Sequence, residues 1–106
     1  MPWELDSDRP IYAQIVDRLK HEIVSGFYPP GSRLPSVRDL AAQASVNPNT
    51  MQKAFTELER TGLIVTRRTS GRTVTEDTAL IEQVRSELAE LQISQFLTRM
   101  QHLGYQ

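Results

Sequence analysis

The stretch that most constrains the fold runs from Val46 to Leu58. Asn47 is a strong N-cap residue and Pro48 follows at the first helical position, where its missing backbone N–H costs nothing, so a helix begins here. Apolar residues recur at helical spacing on one side of this helix, namely Met51, Ala54, Phe55 and Leu58, and polar residues on the other, namely Asn49, Gln52, Lys53 and Thr56. The polar side is either a solvated surface or a surface that reads base edges in the major groove.

A shorter helix precedes this one. Ser36 is its predicted N-cap, Asp39 lies three residues later as in a capping box, and the buried side contains Val37, Leu40, Ala41 and Ala44. Only Ser45 and Val46 separate its end from Asn47. Such a tight connection is typical of a helix-turn-helix, whose second helix is the two-sided one.

The chain before Ser36 contains one further helix. Pro10 opens it, Ile11, Ile15, Leu19 and Ile23 recur at every fourth position, and Gly26 ends it. Before Pro10, the segment Met1 to Arg9 is predicted to be an arm, with Trp3 and Leu5 as possible anchors. The sequence therefore predicts three helices up to Gly62.

A basic hairpin follows Gly62. The residues from Leu63 to Arg68 and from Arg72 to Thr75 are rich in β-branched side chains, and Thr69, Ser70 and Gly71 have turn chemistry. Its tip carries Arg67, Arg68 and Arg72, which suits a wing along the DNA backbone but is also compatible with a solvated turn. Three helices and a basic hairpin describe a winged helix-turn-helix.

The distribution of charge favours a polyanionic partner for the middle of the chain. Between Arg33 and Arg72 seven basic residues face three acidic ones, whereas from Glu76 onward two basic residues face five acidic ones, although the net charge of the 106 residues is only -1. The absence of cysteine excludes disulfides, cysteine-based zinc sites and a thiol nucleophile, and it fits a reducing compartment.

Catalysis and metal binding have no support in the sequence. No nucleophile–base pair and no glycine-rich phosphate loop is present, and the two histidines, His21 and His102, are interpreted as ordinary surface residues. We therefore expect no enzyme, no cofactor and no metal. No apolar run approaches the length of a membrane span, and the first residues lack the regions of a signal peptide, so we expect a cytoplasmic protein.

The tail, residues 76–106, is predicted to form two helices. The first carries an apolar seam of Ile81, Val84, Leu88 and Leu91, and Ser94 caps a second with Phe96, Leu97, Met100 and Leu103 inward and Gly104 at its end. Helices this short are marginal alone and must bury these side chains against their own domain or a second chain. We expect a dimer, with these eight apolar residues at its interface.

Four motifs in order resemble the DNA-binding domain of the GntR family of bacterial transcriptional regulators. They are residues 10–15, PIYAQI; residues 30–41, PGSRLPSVRDLA; residues 46–55, VNPNTMQKAF; and residues 57–64, ELERTGLI. The short tail is similar to that of the YtrA-type subfamily, in which two helices replace the effector domain. The resemblance implies a winged helix-turn-helix over residues 1–75, a dimerisation tail over residues 76–106, and a homodimeric regulator, in our interpretation a repressor, on an inverted-repeat operator in double-stranded DNA.

The resemblance also implies which residues contact DNA. Arg33 and Ser36 are expected at phosphates and Arg38 at a base edge or the backbone. The recognition helix, about residues 48–61, is expected to present Asn49, Thr50, Gln52 and Lys53, together with Asn47 before it, and the wing, about residues 63–75, to present Arg68, Thr69, Ser70, Gly71 and Arg72. Three departures from the family pattern are Ser45 at the turn, Thr69 for the first wing glycine and Thr73 after the wing. The last two bear on how deeply the wing enters the DNA.

Alternatives stay open at this stage. Arg38 could pair with Asp39 or Glu57 instead of DNA, and a winged helix could bind a protein partner, since the fold alone does not imply DNA binding. The operator, the regulated genes, the sign of regulation and a small-molecule effector are not specified by the sequence.

Overall fold

The computed structural model describes residues 3–106 as four helices and one hairpin. The helices are α1 (Ile11–Val24), α2 (Val37–Ala44), α3 (Pro48–Thr61) and α4 (Thr78–His102), and the strands are β1 (Ile64–Arg67) and β2 (Gly71–Val74). The predicted order of three helices and a hairpin is confirmed, as is the mainly α class. The first two residues of the predicted arm, Met1 and Pro2, lie outside the described residues.

The ends of α2 and α3 have the capping that their sequences predict. The Ser36 hydroxyl oxygen accepts a hydrogen bond from the Asp39 backbone N–H at 3.0 Å, and Asn47 Oδ1 accepts one from the Asn49 N–H at 2.7 Å. Ser45 ends α2 in the left-handed region with φ 58°. The left-handed Ser45 and the Asn47 cap together produce the tight turn between α2 and α3.

A core of apolar side chains joins the three helices of the domain. Helix α3 packs against both α1 and α2, and β1 packs against α3. The largest fully buried side chains come from all of these elements: Phe55, Ile15, Leu19, Ile23, Leu40, Met51, Leu58, Leu63, Ile64 and Val74. The apolar side of α3 is therefore committed to packing, and this leaves its polar side facing outward.

A third chain segment pairs with the hairpin, and the sequence does not reveal it. β1 and β2 pair antiparallel from Ile64 opposite Val74 to Arg67 opposite Gly71. The loop before α2 pairs with β2, because the Leu34 N–H donates to the Arg72 carbonyl and the Val74 N–H to the Ser32 carbonyl, both at 2.9 Å. The wing is thus attached to the start of the helix-turn-helix.

The arm lies on the domain through Gln14. Its side-chain amide accepts from the Asp6 N–H and donates to the Asp6 carbonyl, each at 2.7 Å, and also donates to the Arg9 carbonyl at 3.1 Å. Trp3 packs at the edge of the core with the Arg18 guanidinium 4.1 Å from its ring centroid. The anchoring expected for Trp3 is present, and Leu5 is half-buried.

The prediction of two tail helices is wrong, because α4 is one continuous helix of 25 residues. Ser94, the predicted cap, lies exposed in its interior. Serine is a common N-cap residue, and Ser94 precedes a new set of apolar positions from Phe96 to Leu103, so it resembled the start of a new helix. A helix can continue while its apolar residues move to another face, because its backbone hydrogen bonds do not depend on which face is exposed to solvent.

The first half of α4 docks on α1. Ile81 is buried in the domain core, and Val84 and Leu88 pack against it. The Arg85 guanidinium donates from Nε and Nη2 to the Val24 carbonyl at 3.1 and 2.9 Å, satisfying an acceptor at the end of α1. The second half extends beyond this contact, as the 54 Å long axis of the molecule reflects. None of the helices within residues 3–106 has the length and apolar content to cross a membrane.

Candidate nucleic-acid interface

The outward side of α3 carries the polar residues that the sequence assigns to base reading. Asn49, Gln52, Lys53 and Thr56 are all exposed, and Thr50 is half-buried. Gln52 Nε2 donates to Thr56 Oγ1 at 3.3 Å, one turn further along, so the Gln52 amide is oriented along the helix surface. These side chains share one face and offer both donors and acceptors, as major-groove readout requires.

Two predicted contact residues already have hydrogen bonds within the chain. Asn47 Oδ1 is occupied as the α3 cap, which leaves only its NH₂ group free to donate. Ser36 accepts with its hydroxyl oxygen as the α2 cap and can still donate its proton to an acceptor such as a phosphate. Their local role is structural, and any DNA contact uses the remaining donor.

Lys53 is held by a residue of α1 that sequence reasoning missed. Its Nζ lies 3.9 Å from the centroid of the Tyr12 ring, a cation–π geometry. Tyr12 is half-buried at the edge of the core, so its ring is a fixed support. The contact with Tyr12 thereby restricts the Lys53 side chain, which would otherwise be free to move in solvent.

A groove brings together four of the predicted phosphate and wing residues, Arg33, Ser36, Gly71 and Arg72. It has a volume of about 610 Å³ and lies between the start of α2 and the hairpin, with Arg33, Ser36 and Arg72 among its lining residues. Arg33 is exposed, and its guanidinium lies beside Gly71, where a Cβ on the glycine would come within 3.7 Å of Arg33 Nε. The exposed Arg33 guanidinium and the Ser36 hydroxyl donor suit an anionic backbone, and the Asp39 carboxylate also lines this groove.

The remaining basic side chains are unpaired on the surface. Arg67 and Arg68 are exposed at the hairpin tip, and Arg38 is exposed on α2. Within residues 3–106, no carboxylate lies within ion-pair distance of these three guanidinium groups. For Arg38, pairing with Asp39 or Glu57 does not occur, because Glu57 instead pairs with Arg60. The hairpin tip is completed by Thr69 and Ser70.

The Glu57–Arg60 pair is internal to α3. Arg60 Nε donates to Glu57 Oε2 at 3.1 Å, and this hydrogen bond lowers the pKa of the Glu57 carboxyl. Both groups are exposed, so the pair contributes little to stability. Its effect is to neutralise one cation near the end of α3.

Arg72 differs from the other wing residues because it is paired. Its Nε donates to Glu59 Oε1 at 2.7 Å, and its guanidinium lies 5.3 Å from the centroid of Phe55. Glu59 is the second residue that sequence reasoning missed. A single helical carboxylate thirteen residues before its partner gives no sequence signal, and only the folded hairpin brings the two together.

The predicted interface residues of the tail divide into two groups. Ile81 is 4% exposed, so it belongs to the core of its own chain and not to a surface that a second chain could cover. Val84 and Leu88 are half-buried on the same side, whereas Leu91, Phe96, Leu97 and Leu103 are exposed and Met100 is half-buried. The exposed group also includes Ile93, which the sequence interpretation omitted. Within residues 3–106, no group of three histidine or acidic side chains could hold a metal ion.

Comparisons with known proteins agree with this geometry. The family described as bacterial regulatory proteins, gntR family, matches residues 11–74. The HTH-type transcriptional repressor YtrA of Bacillus subtilis is 40% identical over 92% of this chain and 76% of its own. A GntR family transcriptional regulator from Listeria monocytogenes is similar in structure, with a TM-score of 0.88 and 43% identity over 96% of this chain and 90% of its own.

A second similar structure contains DNA. AraR(DBD) in complex with operator ORR3 has a TM-score of 0.58 and 26% identity over 71% of this chain and 93% of its own. The relatives are named as transcriptional regulators rather than as enzymes, which confirms the expectation of a protein without catalytic activity.

Proposed function

The chain belongs to the YtrA-type subfamily of the GntR family and is a DNA-binding transcriptional regulator, and from this premise we propose that it is a homodimeric repressor of an inverted-repeat operator. The resemblance stated from the four motifs is thereby confirmed at the level of the family. The repressor role is proposed because the Bacillus subtilis relative YtrA is named as one. A cytoplasmic location follows from action on chromosomal DNA.

The observation that carries base reading is the exposed polar side of α3. Asn49 and Gln52 stand one turn apart near its start, and amides are the side chains that pair with adenine in the major groove. Lys53 beside them adds a cation for guanine or a phosphate. Thr50 and the free NH₂ group of Asn47 extend the surface toward the helix N-terminus.

The basic groove and the hairpin supply the contacts that do not depend on sequence. Arg33 and Ser36 face the groove at the start of α2, and the exposed Arg38 lies on that helix. Arg67, which the sequence interpretation placed at the tip without assigning it a contact, and Arg68 with Thr69, Ser70 and Gly71 would lie along the backbone beside the recognition helix.

The second half of α4 is proposed to form the dimer. Its apolar side chains stay exposed in the single chain, because their own domain does not cover them. Leu91, Phe96, Leu97, Met100 and Leu103, with Ile93 added, are the residues we place there. Residues 1–75 then act as the DNA-binding unit, and the first half of α4 joins that unit to the dimer contact.

The experiment that tests the function is selection of bound sequences from a random duplex pool, followed by titration of the recovered site at two salt concentrations. We expect an inverted repeat whose half-sites are about one helical turn apart. Asn49→Ala or Gln52→Ala should cost about 1–3 kcal/mol on that site and relax its specificity, whereas Arg68→Ala should weaken binding to all sequences and reduce the salt dependence.

Gln43→Ala is the matched control, because Gln43 is an exposed amide on α2 outside the proposed contact surface. An unselected pool whose binding disappears with salt would overturn the proposal and leave a non-specific basic surface. In that case a protein partner would become the better hypothesis for the winged helix.

A further inference from the structure

Glu59 contacts both strands of the hairpin at once. Its Oε1 accepts from Arg72 Nε at 2.7 Å, and its Oε2 accepts from Thr66 Oγ1 at 3.0 Å. Thr66 and Arg72 are directly opposite each other in the register of β1 and β2. The carboxylate of α3 therefore holds one cross-strand pair by both of its members.

The ion pair of the arrangement is partly shielded from solvent. The side chains of Arg72 and Glu59 are 29% and 31% exposed, whereas those of Arg60 and Glu57 are 70% and 38% exposed. The guanidinium also lies over Phe55, a fully buried member of the core. Such a half-buried, charge-assisted contact fixes geometry more firmly than a surface ion pair does.

The position of Glu59 is unfavourable for electrostatics alone. It places a negative charge in the segment that carries the basic surplus, beside residues that we assign to phosphate contacts. A hairpin with two four-residue strands is marginal without support. Backbone pairing with the loop before α2 holds β2, and Glu59 adds a side-chain tie from α3 to both strands. Arg72 was expected to contact DNA, but its Nε donates to Glu59 instead.

We propose that Glu59 is a positioning residue for DNA binding: it fixes the wing against the recognition helix through Thr66 and Arg72, so that Arg67 and Arg68 at the tip reach the backbone. This inference rests on the proposed function. It changes the role of Arg72 from a primary DNA contact to the anchor of the wing.

The test uses Glu59→Gln, because charge and positioning predict opposite results. If Glu59 only repels phosphate, its neutralisation tightens binding to every duplex. If it positions the wing, Glu59→Gln weakens binding to the selected operator by about threefold or more, since the amide cannot accept from both strands at its two ends. Glu57→Gln is the matched control, removing the same charge from the same helix without touching the hairpin, and we expect it to leave binding equal or slightly tighter.

Two further measurements separate positioning from a general loss of structure. In an Arg68→Ala background the effect of Glu59→Gln should shrink, because the misplaced tip no longer carries its main contact. Thr66→Val removes one of the two bonds while favouring the strand, and it should give a smaller loss in the same direction. Binding by Glu59→Gln as tight as that of Glu57→Gln would overturn the proposal, as would an undiminished loss in the Arg68→Ala background.

Backbone amide exchange in the free protein makes the test independent of DNA. Exchange at residues 66–72 should accelerate in Glu59→Gln and not in Glu57→Gln, while amides of α1 and α3 stay protected. Unchanged exchange in the wing would refute the tie itself. Failure of the wild-type chain to select any operator would instead refute the proposed function, and the exchange result would still decide whether Glu59 holds the hairpin.

Discussion

Ser45 has a backbone conformation that a glycine would adopt without a steric penalty. At φ 58° and ψ 47° it ends α2, and the following Val46 N–H bonds back to the Ala41 carbonyl at 3.0 Å. A left-handed serine costs roughly 1–2 kcal/mol, and glycine would lose about 0.4–1 kcal/mol through the entropy of the unfolded chain. We therefore expect Ser45→Gly to raise the free energy of unfolding by about 0.5–1 kcal/mol in urea denaturation.

The control for this substitution is Gln43→Gly, at an exposed position in the last turn of α2. There the backbone is right-handed, so glycine should lower the free energy of unfolding by about 1 kcal/mol. Both variants are compared at one protein concentration, because self-association would shift apparent stability. Destabilisation by Ser45→Gly equal to that by Gln43→Gly would contradict the cost assigned to the left-handed serine.

Glu22 makes stability depend on pH. Its Oε1 is buried without a hydrogen-bond partner among residues 3–106, and Arg18 Nε is 3.7 Å away. Burial raises the pKa of Glu22 above its usual 4.5 despite the attraction of Arg18. The folded state therefore binds more protons than the unfolded state, and this group lowers stability as pH rises from about 4.5 through the raised pKa.

Glu22→Gln should remove this dependence. We expect Glu22→Gln to be more stable than the wild-type chain at pH 7. Its gain in the free energy of unfolding over wild type should be larger at pH 7 than at pH 4, by a few tenths to about 1 kcal/mol. Chemical denaturation at the two pH values measures the difference, and Glu90→Gln, an exposed carboxylate of α4, is the control. An equal effect of the two substitutions at both pH values would show that burial of Glu22 has no energetic consequence.

At the scale of elements, substitution of Ser94 tests whether α4 is one continuous helix. In a helix interior an exposed serine is less favourable than alanine by about 0.5 kcal/mol, whereas at an N-cap its replacement by alanine costs about 1 kcal/mol. Because Ser94 lies inside α4, we expect Ser94→Ala to maintain or increase helix content in circular dichroism and to stabilise the chain slightly.

Ser86→Ala provides the reference, since Ser86 is exposed in the same helix and is interior whether the tail has one helix or two. The two substitutions should have the same sign. Loss of stability in Ser94→Ala alone would restore the two-helix prediction for the tail.

Local signals explain why most elements could be predicted and α4 could not. Asn47, Pro48 and Gly62 define the ends of α3 by chemistry within one turn, and the structure has those ends. The positions of the apolar side chains on either side of Leu91 are also a local signal. They depend on what each half of α4 packs against, however, and do not show where a helix ends. Contacts such as Glu59 with Arg72 and Lys53 with Tyr12 depend on chain segments that meet only after folding, so sequence periodicity could not reveal them.

At the scale of the whole molecule, the second half of α4 presents an apolar surface that remains exposed in the single chain. Phe96, Leu97 and Leu103 are each more than half exposed on the second half of α4. Contiguous apolar side chains of this kind mark interaction surfaces. In a dimer formed there, the two winged domains would be held at a fixed separation, which is the condition for reading two half-sites.

Substitution at Phe96 tests this assembly better than substitution at Leu88. Leu88 packs against the core of its own domain, so Leu88→Asp would unfold the chain as well as separate it from a partner. Phe96 is 51% exposed and far from that core. Phe96→Asp should therefore yield a folded monomer by sedimentation or light scattering, and the wild-type chain should have twice the monomer mass.

Gln95→Asp is the matched control, because adjacent residues on a helix point about 100° apart and Gln95 points away from Phe96, Leu97 and Met100. It should remain dimeric. Since binding of the second half-site is intramolecular only in a dimer, Phe96→Asp should also bind the full operator with nearly the affinity of a single half-site. An unchanged mass and unchanged operator affinity in Phe96→Asp would mean that the second half of α4 does not form the dimer, and that the half-site spacing is set elsewhere in the molecule.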